Sequence, residues 1–205
     1  HANSFAATED TLFLATRNSC MVALAVDSTV PIRPIDTTCP LGLGTLVLRR
    51  EGNDIFVRTD NSVAILRYTI EPFDLAETIT LPELTPSSVL DAWADADGLG
   101  VVGLSVDDNT IARLVHIQGN ARTSVDLGSF ENGSFALVRS TSTEVVVVGI
   151  EDLLTTVDKQ TITVTVSSQP EFVVPKGKAF EPNDMETQAD TIYVAGNQQG
   201  YGGSF

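Results

Sequence analysis

Glu144-Val-Val-Val-Val-Gly-Ile150 sets four valines in a row behind a carboxylate. A β-branched run with no polar alternation suits a strand covered on both faces. Runs of the same kind, short, apolar and opened by an acidic residue or a glycine, stand at four other places. They are Asp10-Thr-Leu-Phe-Leu-Ala-Thr-Arg17, Asp54-Ile-Phe-Val-Arg-Thr-Asp60, Gly98-Leu-Gly-Val-Val-Gly-Leu-Ser105 and Asp190-Thr-Ile-Tyr-Val-Ala-Gly196. Their first residues are 44, 44, 46 and 46 positions apart. A period that constant predicts similar supersecondary units that stack, each too small to bury a core alone.

Working outward from these runs, each unit reads as four short strands. The second unit places them at 45–49, 54–59, 62–68 and 73–81. The breaks are Glu51-Gly-Asn53, Asp60-Asn61 and Glu71-Pro72, all turn chemistry. The third unit reads 89–94, 100–105, 110–117 and 122–127, and the fourth 134–139, 145–150, 153–158 and 162–167. The first unit has its last three strands clearly, the third and fourth at 19–26 and 30–35, with a weak first strand at 4–7. Third and fourth strands alternate, as in Ile65-Leu-Arg-Tyr68 and Ser124-Val-Asp-Leu127, which predicts half exposure. No window sustains a helical period. The one rival, 84–96, is interrupted by Pro86 and by the turn Asp95-Ala-Asp-Gly98. The chain is all-β.

Four-stranded antiparallel units at this period resemble the blades of a β-propeller, and the resemblance spans nearly the whole chain. It rests on period and strand count. The Trp-Asp strand ending, the Asp-box and the kelch glycine pair of particular propeller families are absent from the sequence. The resemblance implies one propeller domain or fragment, with blades near 1–42, 43–85, 86–130 and 131–175 and a partial fifth at 176–205. Complete propellers usually hold four to eight blades. About four and a half blades imply part of a larger propeller, with the complementary blades on another fragment or partner chain. The alternative is a β-sandwich, whose strands also recur between turns. A sandwich has no reason to repeat its most apolar strand every 45 residues or so.

Composition narrows the partners. Against 12 Lys and Arg stand 27 Asp and Glu, a net charge of −15, which argues against nucleic acid and against an anionic membrane surface. No apolar run approaches the roughly 20 residues of a membrane helix, so membrane insertion is not expected. Apolar residues make up 42% of the chain, ample for a core despite the charge. The sequence opens at His1 with no initiator Met, so it is either processed or cut from something longer; a processed start predicts an exported protein in an extracellular, periplasmic or cell-surface setting.

Cys20 and Cys39 fit that setting as a disulfide. With the hairpin turn of the first unit centred near residue 28, Cys20 falls opposite a position near 37, two short of Cys39. A small bulge would bring the two into register. Two reduced, buried thiols are the alternative.

Candidate sites are few. Asp91-Ala-Trp-Ala-Asp-Ala-Asp-Gly98 is the densest acidic cluster, and Asp91, Asp95 and Asp97 are candidate Ca²⁺ ligands. Aligned as an EF-hand loop on Asp95, Asp97 and Gly98, it puts Trp93 and Leu104 at two ligand positions. The alternative is a tight hairpin turn with the glycine at positive φ. His1, through its amine and ring, and His116 are candidate copper ligands, His116 being otherwise a buried strand residue. Trp93 lies on a first strand, which in propellers lines the central channel, so it marks either a binding mouth or simple packing. Glu181-Pro-Asn-Asp-Met-Glu186 reads as a solvated loop in a long connection. Asn132-Gly-Ser134 is a glycosylation acceptor only in a eukaryotic secretory pathway. No Gly-x-Ser-x-Gly, catalytic cysteine context or phosphate-binding glycine loop occurs. The expected function is an exported, non-catalytic propeller presenting a protein- or ligand-interaction surface. Two alternatives stand beside it: a fragment of a propeller enzyme with its catalytic residues on other blades, and a surface protein that binds Ca or Cu.

Overall fold

The computed structural model describes residues 2–16, 20–26, 33–38, 46–58, 64–86, 88–130, 136–150, 153–168, 178–188 and 191–200, and every regular element in them is a strand. The first sheet is β1 (Ala2–Ala7), β2 (Thr11–Thr16), β3 (Met21–Ala25) and β4 (Arg33–Thr38). The second is β5 (Leu46–Glu51), β6 (Asp54–Arg58), β7 (Ala64–Thr69) and β8 (Asp74–Thr80). The third is β9 (Asp91–Asp95), β10 (Gly98–Leu104), β11 (Ile111–Gln118) and β12 (Ala121–Ser129). The fourth is β13 (Leu137–Ser140), β14 (Glu144–Ile150), β15 (Leu153–Asp158) and β16 (Thr163–Ser168). The fifth pairs β17 (Lys178–Gln188) with β18 (Thr191–Gly200). In each sheet the strands lie side by side in chain order. The chain divides into two compact units, His1–Val89 with Ala94–Gly98, and Leu90–Trp93 with Leu99–Phe205.

The repeat is built into the hydrogen bonding. In every four-stranded sheet the pairing of the third and fourth strands slips by one residue, between Ala23/Leu24, Arg67/Tyr68, Ala112/Arg113 and Thr156/Val157. Those slips recur every 44, 45 and 44 residues, the period of the apolar runs. A bulge in the outer strand sharpens the local twist and bends that strand. Three of the four sheets also share a clamp at one end. The residue after the third strand donates its N–H to the carbonyl of the residue before the second: Val26 to Asp10 at 2.7 Å, Ile70 to Asn53 at 2.8 Å, Lys159 to Thr143 at 3.0 Å. Thr8 and Thr141 close the preceding turn alike. Their Oγ1 atoms accept from the N–H groups of Thr11 (3.0 Å) and Glu144 (3.1 Å).

The cores explain why the second strands are the most apolar. In the first unit Phe13, Met21 and Ala23 pack against Ile55, Val57 and Tyr68, with Phe73 at the rim 5.5 Å from the Phe13 ring. In the second unit β14 is covered on both sides. Val145 and Val147 join the cluster of Trp93, Val102 and Leu114, whereas Val146 and Val148 join Met185. Full burial stabilises each valine by about 1.5–3 kcal/mol, which is why no polar residue interrupts the run.

One expectation needs correction. Glu181–Glu186 is not a solvated loop: it lies within β17, and Met185 is 1% exposed against β14. A bulge between Pro182 and Asp184 lets a proline sit in the strand, which hid its alternation. The predicted start of the fourth strand of the first sheet, at 30, lies outside the described residues; the described strand is Arg33–Thr38, and as the edge strand it tolerates Pro34, which has no N–H to give.

Candidate functional site

The first strand of the third sheet carries the chemistry-bearing side chains that the second unit gathers. Asp91 and Trp93 are two residues apart on β9 and therefore share a face. Asp91 Oδ2 accepts the backbone N–H of Val138 at 3.0 Å and the Arg139 Nη1 at 2.8 Å, both on β13. Arg139 Nη1 also donates to the Val138 carbonyl at 2.6 Å. The two side chains are only 13% and 9% exposed, so this ion pair lies almost wholly out of water. Arg139 ends the strand predicted at 134–139. Its signal was present, since Asp91 and Arg139 are opposite charges 48 residues apart in strands that are otherwise largely apolar.

Trp93 is 2% exposed and belongs to the core of its unit, which settles its role as packing. Its ring lies across β10 at Gly100, where an added methyl group would overlap the indole. On the far side of Gly100, its register partner His116 stacks on the indole, with ring centroids 5.8 Å apart and planes 4° from parallel. Only a residue without a side chain at Gly100 lets the two rings meet across an intervening strand. His116 is 7% exposed; His1, its proposed copper partner, lies outside the described residues.

The acidic cluster divides into separate tasks. Asp91 is engaged by Arg139, and Asp95 Oδ1 accepts the N–H of Asp97 at 2.9 Å in a hairpin turn whose Gly98 has φ 139°. Among the described residues no group of three or more His, Cys, Asp or Glu is arranged to hold a metal ion. The candidate set of Asp91, Asp95 and Asp97 is therefore not gathered round one point. An ion pair takes the first carboxylate and a turn bond takes the second.

A second charged arrangement, on β11, was not foreseen. Arg113 Nε donates to Asp126 Oδ1 at 2.6 Å, and its Nη1 to Asp107 Oδ2 at 2.8 Å. Hydrogen bonds to Asp126 first, and then to Asp107, hold the guanidinium above its ordinary pKa. Two turn carboxylates are held below theirs: Asp108 by the hydroxyl and N–H of Thr110, Asp158 by the N–H and then the hydroxyl of Thr161.

The fifth sheet offers an edge. Among the described residues β18 pairs with β17 alone. Ile192 and Val194 pack half-buried against the Val146 and Val148 cluster, and Tyr193, pointing the other way, is 57% exposed. Cys20 directly precedes β3, and its carbonyl accepts the N–H of Thr16 at 2.9 Å; Cys39 lies outside the described residues.

No protein-family model matches the chain, and no curated protein matches it by sequence. Solved structures do match. The β-propeller domain of Swd1 from Myceliophteria thermophila shares 12% identity over 97% of this chain and 71% of its own, with a TM-score of 0.59. A nidogen/laminin complex shares 12% identity over 78% of this chain, with a TM-score of 0.55, and the match spans 60% of that chain. BamB from Moraxella catarrhalis shares 13% over 80% of this chain and 51% of its own, with a TM-score of 0.54. At such identities the likeness is one of fold. The sheets are β-propeller blades, not the layers of a sandwich: among the described residues they are four of four strands and one of two.

Proposed function

We propose that the protein is an exported, non-catalytic β-propeller that holds another protein, and that its fifth blade takes the partner as added strands. The observation that carries this reading is β18. Its counterparts β2, β6, β10 and β14 each lie between two strands of their sheet. β18 opens on an apolar run like theirs, Ile192-Tyr-Val-Ala195, and carries no charged residue, yet among the described residues it pairs on one side only. An extended segment laid along it would satisfy that edge by main-chain hydrogen bonds, the means of recognition in β-augmentation. Side chains would set the specificity. Apolar residues on one face of the added strand would continue the Ile192 and Val194 cluster, and the other face would meet Tyr193. The complementary strands would come from another chain carrying propeller blades.

The test uses a synthetic peptide of residues 153–168, the third and fourth strands of the fourth blade, as a stand-in for the strands added to β18. Hydrogen exchange at the β18 amides should slow in a saturable way as peptide is added. Unchanged exchange at millimolar peptide, or equal slowing by a peptide of scrambled sequence, would overturn the reading.

Export is supported by the cysteines. The bulge at Ala23/Leu24 shifts the register so that Met21 faces Thr38. Continued by one residue, that pairing would set Cys39 opposite Cys20, so we propose that the two form a disulfide. That would place the protein in an oxidising setting, extracellular, periplasmic or at a cell surface. Alkylation of unreduced, denatured protein should add no mass; two adducts would refute the bridge. Its removal should cost about 2–4 kcal/mol.

A further inference from the structure

The four outer strands are unequal in one respect. An outer strand presents a row of N–H and C=O groups to any passing strand, and proteins block this with charges, prolines and bulges. The bulge is common to all four here, so it does not distinguish them. Charges and prolines do. β4 carries Arg33, Pro34 and Asp36; β8 carries Asp74 and Glu77; β12 carries Arg122 and Asp126. β16, Thr163-Val-Thr-Val-Ser-Ser168, carries none. Its Val164 and Val166 are 40% and 50% exposed, against a preference for burying valine. Alternating Thr and Val give high β-propensity with no charge to repel a neighbour.

Among the described residues β16 pairs with β15 alone, and we infer that it is a self-association edge, pairing antiparallel with β16 of a second copy about a two-fold axis. Charge selects the occupant. Each copy carries −15, so most surface-to-surface approaches of two copies are repulsive. Self-pairing of β8 would bring Asp74 and Glu77 near their own copies, and like charges opposite one another destabilise a strand pair. β16 meets its copy with no charge on either side. The contact is short, about 20 Å for six residues at roughly 3.3 Å each. So small an interface lies below the size of stable dimers, which makes the association weak and reversible. Salt then strengthens it, because screening removes the repulsion between two acidic bodies and leaves the uncharged strand contact intact.

Sedimentation equilibrium of the full chain tests this. The mass should rise from 21.9 kDa toward twice that value as protein reaches hundreds of micromolar, and the rise should be steeper in about 500 mM NaCl than in about 20 mM. Val166→Lys should weaken association at least tenfold. Leu75→Lys, which charges a 45% exposed position on β8, should leave it unchanged. Hydrogen exchange on the unaltered chain gives a readout that needs no variant: the amides of β16 should gain protection with protein concentration. A monomer at every concentration and salt would overturn the inference. So would association that Val166→Lys and Leu75→Lys weaken equally, or protection confined to β18.

Discussion

Arg139 and Arg113 each hold a carboxylate within hydrogen-bond distance in the second unit, and the two pairs stand in opposite relation to water. Arg139 and Asp91 are 9% and 13% exposed. Arg113 is 16% exposed, but its partners Asp126 and Asp107 are 53% and 73% exposed. An ion pair out of water has already lost its hydration, so removal of either member strands the other. A pair whose carboxylates remain wet loses only a modest, screened attraction. Identical chemistry thus ties β9 to β13 in one case and trims a sheet surface in the other.

The largest effect expected from this difference is at Asp91. Asp91→Ala should destabilise the protein by about 3–5 kcal/mol in urea unfolding, because it leaves the Arg139 guanidinium buried without its carboxylate. The double change Asp91→Leu with Arg139→Met should cost less than Asp91→Ala alone, since no charge is then stranded. A loss under about 1 kcal/mol for Asp91→Ala would break the comparison, for the pair would then behave as a surface pair.

Gly100→Ala comes next. The added methyl overlaps the indole of Trp93, which must move off its place against His116. Overpacking of this kind costs about 1–3 kcal/mol, and the emission of Trp93, the single tryptophan, should shift to longer wavelength as it meets water. Asp91 lies two residues away on the same face of β9. If the wall around the ion pair includes Trp93, the coupling between Asp91 and Arg139 should fall in the Gly100→Ala background. Unchanged coupling would show that Arg139 is shielded by other residues.

These sites differ in how far the sequence announces them. The repeat was legible because burial on both faces leaves no choice at Val145–Val148: any polar residue there faces a core. Trp93 was legible only as a choice between packing and a binding mouth, and its burial decides for packing. The Asp91–Arg139 pair was half legible, as two charges a repeat apart; which atoms meet depends on how one blade is set against the next, and a linear pattern does not carry that. β17 was hidden because its bulge at Pro182–Asp184 breaks the alternation that reveals a strand. The slip in the third-to-fourth strand pairing is equally silent, since it costs one residue of spacing and no change in composition.

On the exposed side of the comparison, Asp126→Asn should cost about 0–1 kcal/mol, and raising NaCl should reduce that cost. The carboxylate is half in water, and Asp107 still accepts from Arg113 after the change. A loss above about 2 kcal/mol would mean that exposure does not separate the two pairs.

The smallest effect belongs to Asp158, a half-exposed carboxylate shaped mainly by local bonds. Its Oδ1 accepts the Thr161 N–H and hydroxyl, each at 2.8 Å, and the Gln160 N–H at 3.1 Å. Those bonds favour the charged form and lower its pKa below the ordinary 3.8. A carboxylate whose pKa is depressed by folding contributes stability that is fully present above its unfolded value and is lost as pH falls through its folded value. Thr161→Val removes the hydroxyl but keeps the N–H, so the Asp158 pKa should rise toward the ordinary value without reaching it. The variant should be slightly less stable than the parent at pH 7, with the gap closing below pH 3.8 as both carboxyls protonate. NMR titration of the Asp158 carboxyl reads this directly. An unmoved pKa would assign the whole depression to the backbone N–H groups of Thr161 and Gln160, making the turn geometry, not the threonine, what the sequence encodes there.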